Sequence, residues 1–288
     1  MKSEIKRHKF KSGLTVEFEI QNLSDLYDKA KKLLIVPHRA EFYNIIWIKK
    51  GTLRLSVDFQ PIILKENSII FIPKESIKIF EEACDYEGSI LIFTDGFFNK
   101  NINDIRYLQS NILFNDLRQI IPIEIPETST DLELLFEAMC AELKNRNDAS
   151  QAEILRNYLH NFLLIAERFK RGQGHTEMKS GTDLDYVLLF KDLLEKNYNR
   201  DKSVTKYVSD LGISEKRLYN ATIKILDKSP KELIDERVLL EAKRLLSYSQ
   251  QSVKEIAYEL GFEEPTNFIK YFKKHALETP SEFRDRFR

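Results

Sequence analysis

Two hydrophobic periods divide this chain. Between Phe10 and Phe93 apolar positions recur at every second residue: Leu53, Leu55, Val57 and Phe59 alternate with Arg54, Ser56 and Asp58, as a half-buried strand requires. Ile69–Ile72, Ile77–Phe80 and Ile90–Phe93 are short apolar runs rich in branched and aromatic residues, separated by turn material such as Lys65-Glu66-Asn67, Pro73-Lys74-Glu75 and Glu87-Gly88. Many short strands at near-regular spacing predict a small antiparallel barrel or sandwich. Beyond Asp95 the period becomes helical. The pattern predicts a helix at Phe97–Gln109, an extended piece at Ile120–Ile125 bounded by Pro122 and Pro126, and helices over Asp131–Asn145 and Ala152–Arg171. The last is apolar over more than one face. Packing on the barrel accounts for one stripe, leaving a surplus for a second subunit or for burial within the chain. Arg171–Thr182 is polar, holds three glycines and has no period, so it reads as a linker. A helix over Asp183–Asn197 follows.

From Ser203 onward the sequence repeats itself. Ser203 matches Ser252, Leu211-Gly212 matches Leu260-Gly261, and Ser229-Pro230-Lys231-Glu232-Leu233 matches Thr279-Pro280-Ser281-Glu282-Phe283. A recurrence at this distance marks a duplicated supersecondary unit, and each copy reads as helix, glycine turn, helix. Ser252–Glu255, Ser229–Glu232 and Thr279–Glu282 are capping boxes, the last two with proline at the first helical position. Gly212 and Gly261 stand where a helix ends with positive φ. In the second helices Leu218, Thr222 and Ile225, and likewise Phe268, Tyr271 and Phe272, form the inner stripe. Lys216, Arg217, Tyr219, Asn220 and Lys224, and then Thr266, Asn267, Lys270, Lys273 and Lys274, lie on the outer faces. One such face is an ordinary solvated surface. Two, at fixed spacing, point to DNA, since basic and amide groups pair with phosphates and purine edges in a major groove.

The segment Ser252–Arg284, with Lys254-Glu255-Ile256-Ala257, Leu260-Gly261-Phe262, Asn267-Phe268, Phe272-Lys273-Lys274 and Thr279-Pro280-Ser281-Glu282-Phe283-Arg284, resembles the signature of AraC/XylS-type transcription regulators. Glu232–Leu246 is similar to that family's connecting helix. The resemblance covers roughly the last hundred residues. It implies two recognition helices in successive major grooves, with Lys216, Tyr219 and Asn220, then Thr266, Ile269 and Lys270, facing the bases. The central helix Pro230–Ser247 should hold them about one DNA turn (roughly 34 Å) apart. Lys206, Lys224, Lys228, Lys254, Lys273 and Lys274 are the expected phosphate contacts. Tyr207-Val208 replaces the second copy's Ile256-Ala257, so the first unit should pack around a bulkier residue. The resemblance also implies a homodimer through residues 152–171, of two-fold, isologous type, and RNA polymerase as a partner.

The order His38, Glu41-Phe42-Tyr43, Lys50-Gly51, Ser68–Pro73 resembles, more loosely, the cupin-like sensor domain of these regulators. The expected architecture is therefore α+β. A cupin-like antiparallel β-barrel with helices (1–170) and a linker (171–182) precede an all-α domain with two helix-turn-helix motifs (183–288). The polar, basic arm Met1–Phe10 reads as an ordinary terminus or, as in some family members, as a flap over a ligand pocket or the DNA domain.

Charge adds little. The 288 residues carry 45 Lys and Arg against 45 Asp and Glu, and from Asp183 to Arg288 there are 20 against 19, so only the sidedness of the helices argues for DNA. No signal peptide or membrane span is expected, and Cys84 and Cys140 read as thiols of a reducing cytoplasm. Metal cupins need several imidazoles and a carboxylate on one ion; here the first motif has only His38 and Glu41 and the second has no histidine. No metal, cofactor or catalysis is expected. What remains for the barrel is binding of a small-molecule effector, with His38, Arg39, Tyr43, Trp47 and Arg54 as its contacts. The reading is a ligand-responsive activator. The alternatives are a ligand-independent regulator controlled by a protein partner, and a cupin-type enzyme fused to a DNA-binding domain.

Overall fold

The structure, a computed structural model, describes residues 5–10, 16–82, 85–114, 120–126, 128–145, 148–174 and 181–287. Cys84, the first four residues of the arm and positions 175–180 of the linker lie outside them. The chain forms two compact units, Lys6–Glu177 and Met178–Arg288.

The first unit winds around one long strand. In chain order it contains β1 (Lys6–His8), β2 (Phe18–Asn22), α1 (Leu23–Leu34), β3 (His38–Ala40), β4 (Tyr43–Val57), β5 (Gln60–Leu64), β6 (Ser68–Ile72), β7 (Lys78–Phe80) and β8 (Asp85–Phe93). Then come α2 (Asp95–Phe98), α3 (Ile102–Ser110), β9 (Ile123–Glu124), α4 (Asp131–Lys144) and α5 (Gln151–Gly172). The first half of β4 lies between β6 and β8, its second half between β5 and β7. The register breaks between Ile48 and Lys50, and Gly51 follows at φ +75. A Cβ on Gly51 would run into the backbone of Asp85, so glycine alone allows this approach. The bulge also reverses the strand's parity. Before it Ile46 and Ile48 face one buried cluster, after it Leu53, Leu55 and Val57 do. One extra residue thus keeps the inside inside as the strand turns the corner of the barrel.

That inner cluster also takes Ile62, Leu64, Ile70, Ile72, Phe80 and Ile90, with Leu23, Tyr27 and Leu34 of α1 against it. The opposite face of the β4–β6–β8 sheet carries Tyr43, Ile45, Trp47, Ile69, Phe71, Leu91 and Phe93. It packs on Phe97, Phe98, Leu108, Met139, Leu155, Leu159, Phe162 and Leu163 of the helices. The N-terminal unit is thus a cupin-like curled sheet backed by helices.

Four expectations change. Helix α1 was not predicted; Asn22 caps it, accepting from the amides of Ser24 and Asp25. The helix expected at Phe97–Gln109 is two, because Asn101 and Asp104 form a capping box that restarts the chain at Ile102. Phe59 is not in a strand: Asp58 and Phe59 sit at φ 47 and 71 in the turn between β4 and β5, the geometry a two-residue hairpin favours. The apolar surplus of α5 is absorbed within its own unit, where Leu155, Leu159, Phe162, Leu163 and Ala166 are sealed. Asn157, Asn161, Leu164 and Arg168 are among its outward residues.

The second unit is all helix: α6 (Thr182–Asn197), α7 (Val204–Leu211), α8 (Glu215–Leu226), α9 (Pro230–Tyr248), α10 (Val253–Glu259), α11 (Pro265–Ala276) and α12 (Pro280–Asp285). All three predicted capping boxes form, at Ser229, Ser252 and Thr279. Gly212 and Gly261 have φ +64 and +73. Two helix-turn-helix modules, α7–α8 and α10–α11, share the rod α9.

Candidate functional site

Each module is built around its second helix. In the first, Leu218 is sealed in a cluster with Phe190, Leu194, Tyr207, Val208, Ile234 and Val238. Tyr207 is the bulky centre foreseen, and its hydroxyl donates to the carbonyl of Asp201 at 2.8 Å. In the second module Phe268 and Phe272 are fully buried, and Phe272 packs on Phe283 of α12. These anchors fix which side of α8 and α11 remains outside.

The outer side of α11 is open. Thr266, Asn267, Ile269, Lys270, Lys273 and Lys274 are all exposed, and among the described residues none of the three lysines has a carboxylate within ion-pair distance. Pro265 begins this helix, where its missing N–H costs nothing, and the amide of Asn267 donates to the Glu264 carbonyl at 3.0 Å. The outer side of α8 differs. Lys216, Tyr219 and Asn220 are exposed, but Arg217 and Lys224 both bond the carboxylate of Asp183 on α6, Lys224 at 2.6 Å. Arg217 also lies over the ring of Tyr186, its guanidinium carbon 4.8 Å from the centroid. These hydrogen bonds, from Lys224 first and then Arg217, hold the Asp183 carboxyl below its ordinary range. Seven residues apart, Arg217 and Lys224 share the flank of α8 that meets α6 rather than the face of Lys216, Tyr219 and Asn220. Lys206 is likewise paired with Asp210, and Lys228 with Glu236, while Lys254 is unpaired among the described residues. Most expected phosphate contacts of the first module are thus engaged by the protein's own acids. Sequence reasoning missed Asp183, which is distant in sequence from both partners.

The two modules touch. Lys202, before α7, donates to the carbonyl of Leu260 at 2.5 Å and lies 4.5 Å from the ring centroid of Phe262. A Cβ on Gly261 would collide with the carbonyl of Asn199. On the rod, Asp235 bonds Lys231 at 2.7 Å and accepts from the Tyr271 hydroxyl at 3.1 Å. Burial and the adjacent Asp235 charge push the Tyr271 phenol well above its ordinary range. Arg237 holds Glu195 of α6 at 2.8 Å and stacks on Tyr198.

In the barrel unit the five expected ligand contacts do not converge. Tyr43 and Trp47 are buried on the helix-facing side of the sheet, outside the barrel interior. Tyr43 donates to Asp95 at 3.1 Å; Trp47 packs on Phe136 and Phe162, with Lys49 3.6 Å from its ring centroid. Arg54 is exposed on the outer side of β4, and Arg39 pairs with Glu75 at 3.7 Å. Only His38 faces inward. It is buried, its Nδ1 is 2.9 Å from the Val36 carbonyl, and its ring stacks on Phe80. Burial, with the neighbouring Lys78 charge, lowers its pKa to about 3. Opposite it stands Lys78, also buried, whose pKa falls to about 7 through desolvation. Lys78 was not singled out from sequence, because one lysine in a three-residue strand carries no periodic signal. Among the described residues no group of three or more His, Cys, Asp or Glu side chains is placed to hold a metal ion. No described helix is long and apolar enough to cross a membrane.

Comparison with known proteins matches residues 31–163 to the AraC-like ligand binding domain and residues 207–286 to a helix-turn-helix domain. The HTH-type transcriptional activator RhaS of Yersinia pestis (strain Pestoides F) is 23% identical over 252 residues, 86% of this chain and 88% of that protein. The lactose operon transcription activator of Staphylococcus xylosus is 24% identical over 167 residues, 56% of this chain and 57% of that one. Histidine kinase P4 of Formosa agariphila is 28% identical over 137 residues, 46% of this chain. The matches span 10% of the kinase and 57% of the lactose operon activator. Among solved structures, ToxT from Vibrio cholerae O395 aligns over 93% of this chain and 97% of its own at 18% identity, with a TM-score of 0.44. Its sequence in both halves makes this chain a member of the AraC family of transcription regulators, with an N-terminal ligand-binding domain and a C-terminal helix-turn-helix domain.

Proposed function

We propose that this chain is a ligand-responsive transcription activator of the cytoplasm that reads double-stranded DNA with α8 and α11 and works as a homodimer. The observation that carries the DNA reading is the outer face of α11, where Lys270, Lys273, Lys274 and Asn267 stand exposed, the three lysines without protein ion pairs among the described residues. Lys216, Tyr219 and Asn220, then Thr266, Ile269 and Lys270, face base edges; Lys254, Lys273 and Lys274 meet phosphates. Arg217 and Lys224 reach phosphate only by exchanging Asp183 for it. The test is selection from a random duplex library followed by footprinting. Protection of two patches one helical turn apart on one face of the duplex supports the reading, and a single protected patch refutes it.

For the dimer, exposed Leu134 on α4 and Leu164 on α5 are the apolar residues that these helices offer a second copy. Sedimentation of the full chain, with Leu164→Glu as the perturbation, tests it: a wild-type monomer at all concentrations removes the dimer. Contact with RNA polymerase belongs to the same proposal and is read by transcription from a selected site with purified polymerase.

A further inference from the structure

Three short strands bring a buried lysine and two histidines together at one end of the barrel. Lys78 of β7 is the register partner of His38 on β3, and His38 is the partner of Lys6 on β1. On the other side Lys78 pairs with Val57 of β4. Register partners in adjacent strands point to the same side of a sheet, and Val57 belongs to the inner cluster. His8, two residues on from Lys6, brings its ring within 5.4 Å of that of His38. Lys6 is exposed at the edge, so the part of this rung that lies across the barrel's inner side is His38 and Lys78, both buried.

Lys78 is 3% exposed. Among the described residues its ammonium has no carboxylate within ion-pair distance and no hydrogen-bond acceptor. The two acids nearest in charge are committed elsewhere. Asp58 accepts from the amide of Ile77 at 3.0 Å, and Glu75 holds Arg7 at 2.9 Å and Arg39 at 3.7 Å. A buried ammonium without an anion is costly, and chains retain buried charge where something pairs with it. The surroundings are apolar: Val57 and Phe80 on the inner face, and the ring of Phe42 at 6.0 Å from the ammonium.

We propose that this rung is an anion site, and that the effector of the barrel carries a single carboxylate, seated against Lys78 and His38, on an apolar body that packs on Phe80 and Val57. This deepens the effector reading given above. Charge favours a monoanion. The histidines are held neutral by burial, so Lys78 is the one buried positive charge of this rung, and a phosphate dianion would remain half-compensated. With Nδ1 donating to the Val36 carbonyl, the neutral His38 ring has no second N–H, so it packs beside the carboxylate and Lys78 supplies the charged donor.

The test uses the full chain without DNA, so the site can fail while the DNA-reading proposal stands. Thermal unfolding of the barrel unit is followed against sodium benzoate, sodium butyrate and sodium octanoate, with benzamide as the neutral match to benzoate and inorganic phosphate as the dianion. The expected result is a rise of about 3–6 °C for at least one carboxylate at ten times its dissociation constant, with none for benzamide or phosphate. Lys78→Met, checked by far-UV circular dichroism, should lose that response and unfold at a higher temperature than wild type when no ligand is present, because it removes an unpaired buried charge. Four results each overturn the proposal: no shift with any carboxylate, equal shifts with benzamide, a larger shift with phosphate, or a Lys78→Met chain that responds as wild type. A Lys78→Met chain less stable than wild type without ligand overturns it too, since the ammonium would then have a partner within the protein.

Discussion

Replacing Lys273 and Lys274 together by alanine should flatten the salt dependence of DNA binding, whereas replacing Lys206 and Lys228 should hardly alter it. All four are surface lysines beside a helix-turn-helix face. They differ in what they already touch. Lys206 is 2.7 Å from Asp210 and Lys228 is 2.7 Å from Glu236, while Lys273 and Lys274 have no ion pair among the described residues. Each lysine that neutralises a phosphate adds ~0.9 to the slope of log K against log salt. Losing two should reduce the slope by ~1.8, so between 50 and 200 mM salt the wild type loses roughly 12-fold more affinity than the double variant. A lysine neutralised by its neighbour presents little net charge, and its removal releases few further counterions. Fluorescence anisotropy of a labelled duplex, specific and scrambled, over that salt range gives the slopes directly. Exposed ion pairs are weak and exchange readily, so there is a clear way to be wrong. If Lys206→Ala/Lys228→Ala flattens the slope as much, pairing within the protein does not decide which lysines meet DNA.

Lys270→Ala should weaken binding to the selected site by about 1–3 kcal/mol and relax preference at one base pair; an unchanged footprint and affinity would remove it from the groove. Gly212→Ala should destabilise the helical unit by about 1–2 kcal/mol, the left-handed backbone alone, because open space surrounds that position. Gly261→Ala should add ~1–3 kcal/mol for displacing Asn199, so equal urea midpoints for the two variants would contradict the close approach. Stability of the barrel unit should rise with pH in two windows: about 3 to 6.5, where unfolding frees His38 to protonate, and about 7 to 10.5, where unfolding does the same for Lys78. In both the unfolded chain binds more protons than the folded one. Urea titrations at a series of pH values read the trend, and Lys78→Met should abolish the upper window alone.

The helical unit was legible from sequence because its boundaries rest on local chemistry. A hydroxyl and a carboxylate three residues apart make a capping box wherever they occur before a helix, and those at Ser229, Ser252 and Thr279 all formed. The barrel was legible as a class but not in its facing. One bulge between Ile48 and Lys50 exchanges the two sides of β4, so Tyr43 and Trp47, expected at a ligand, pack on helices instead. Nothing in a period of two announces where the count slips. Helix α1 has its signal in Leu23, Tyr27 and Leu34, spaced for one face, yet it is flanked by strand-like runs that dominate a short window. The pairing of Arg217 and Lys224 with Asp183 spans 34 and 41 residues, a distance at which sequence gives charge but not neighbours.

The contact of Gly261 with Asn199, reinforced by Lys202 on the Leu260 carbonyl, makes the helical unit a caliper with fixed jaws. A caliper does not adapt to what it measures, so mismatch must be absorbed by the duplex. Operators should then be ranked partly by how easily the stretch between the jaws can bend. An insertion of a few base pairs there should be punished more severely than any single base change under the jaws.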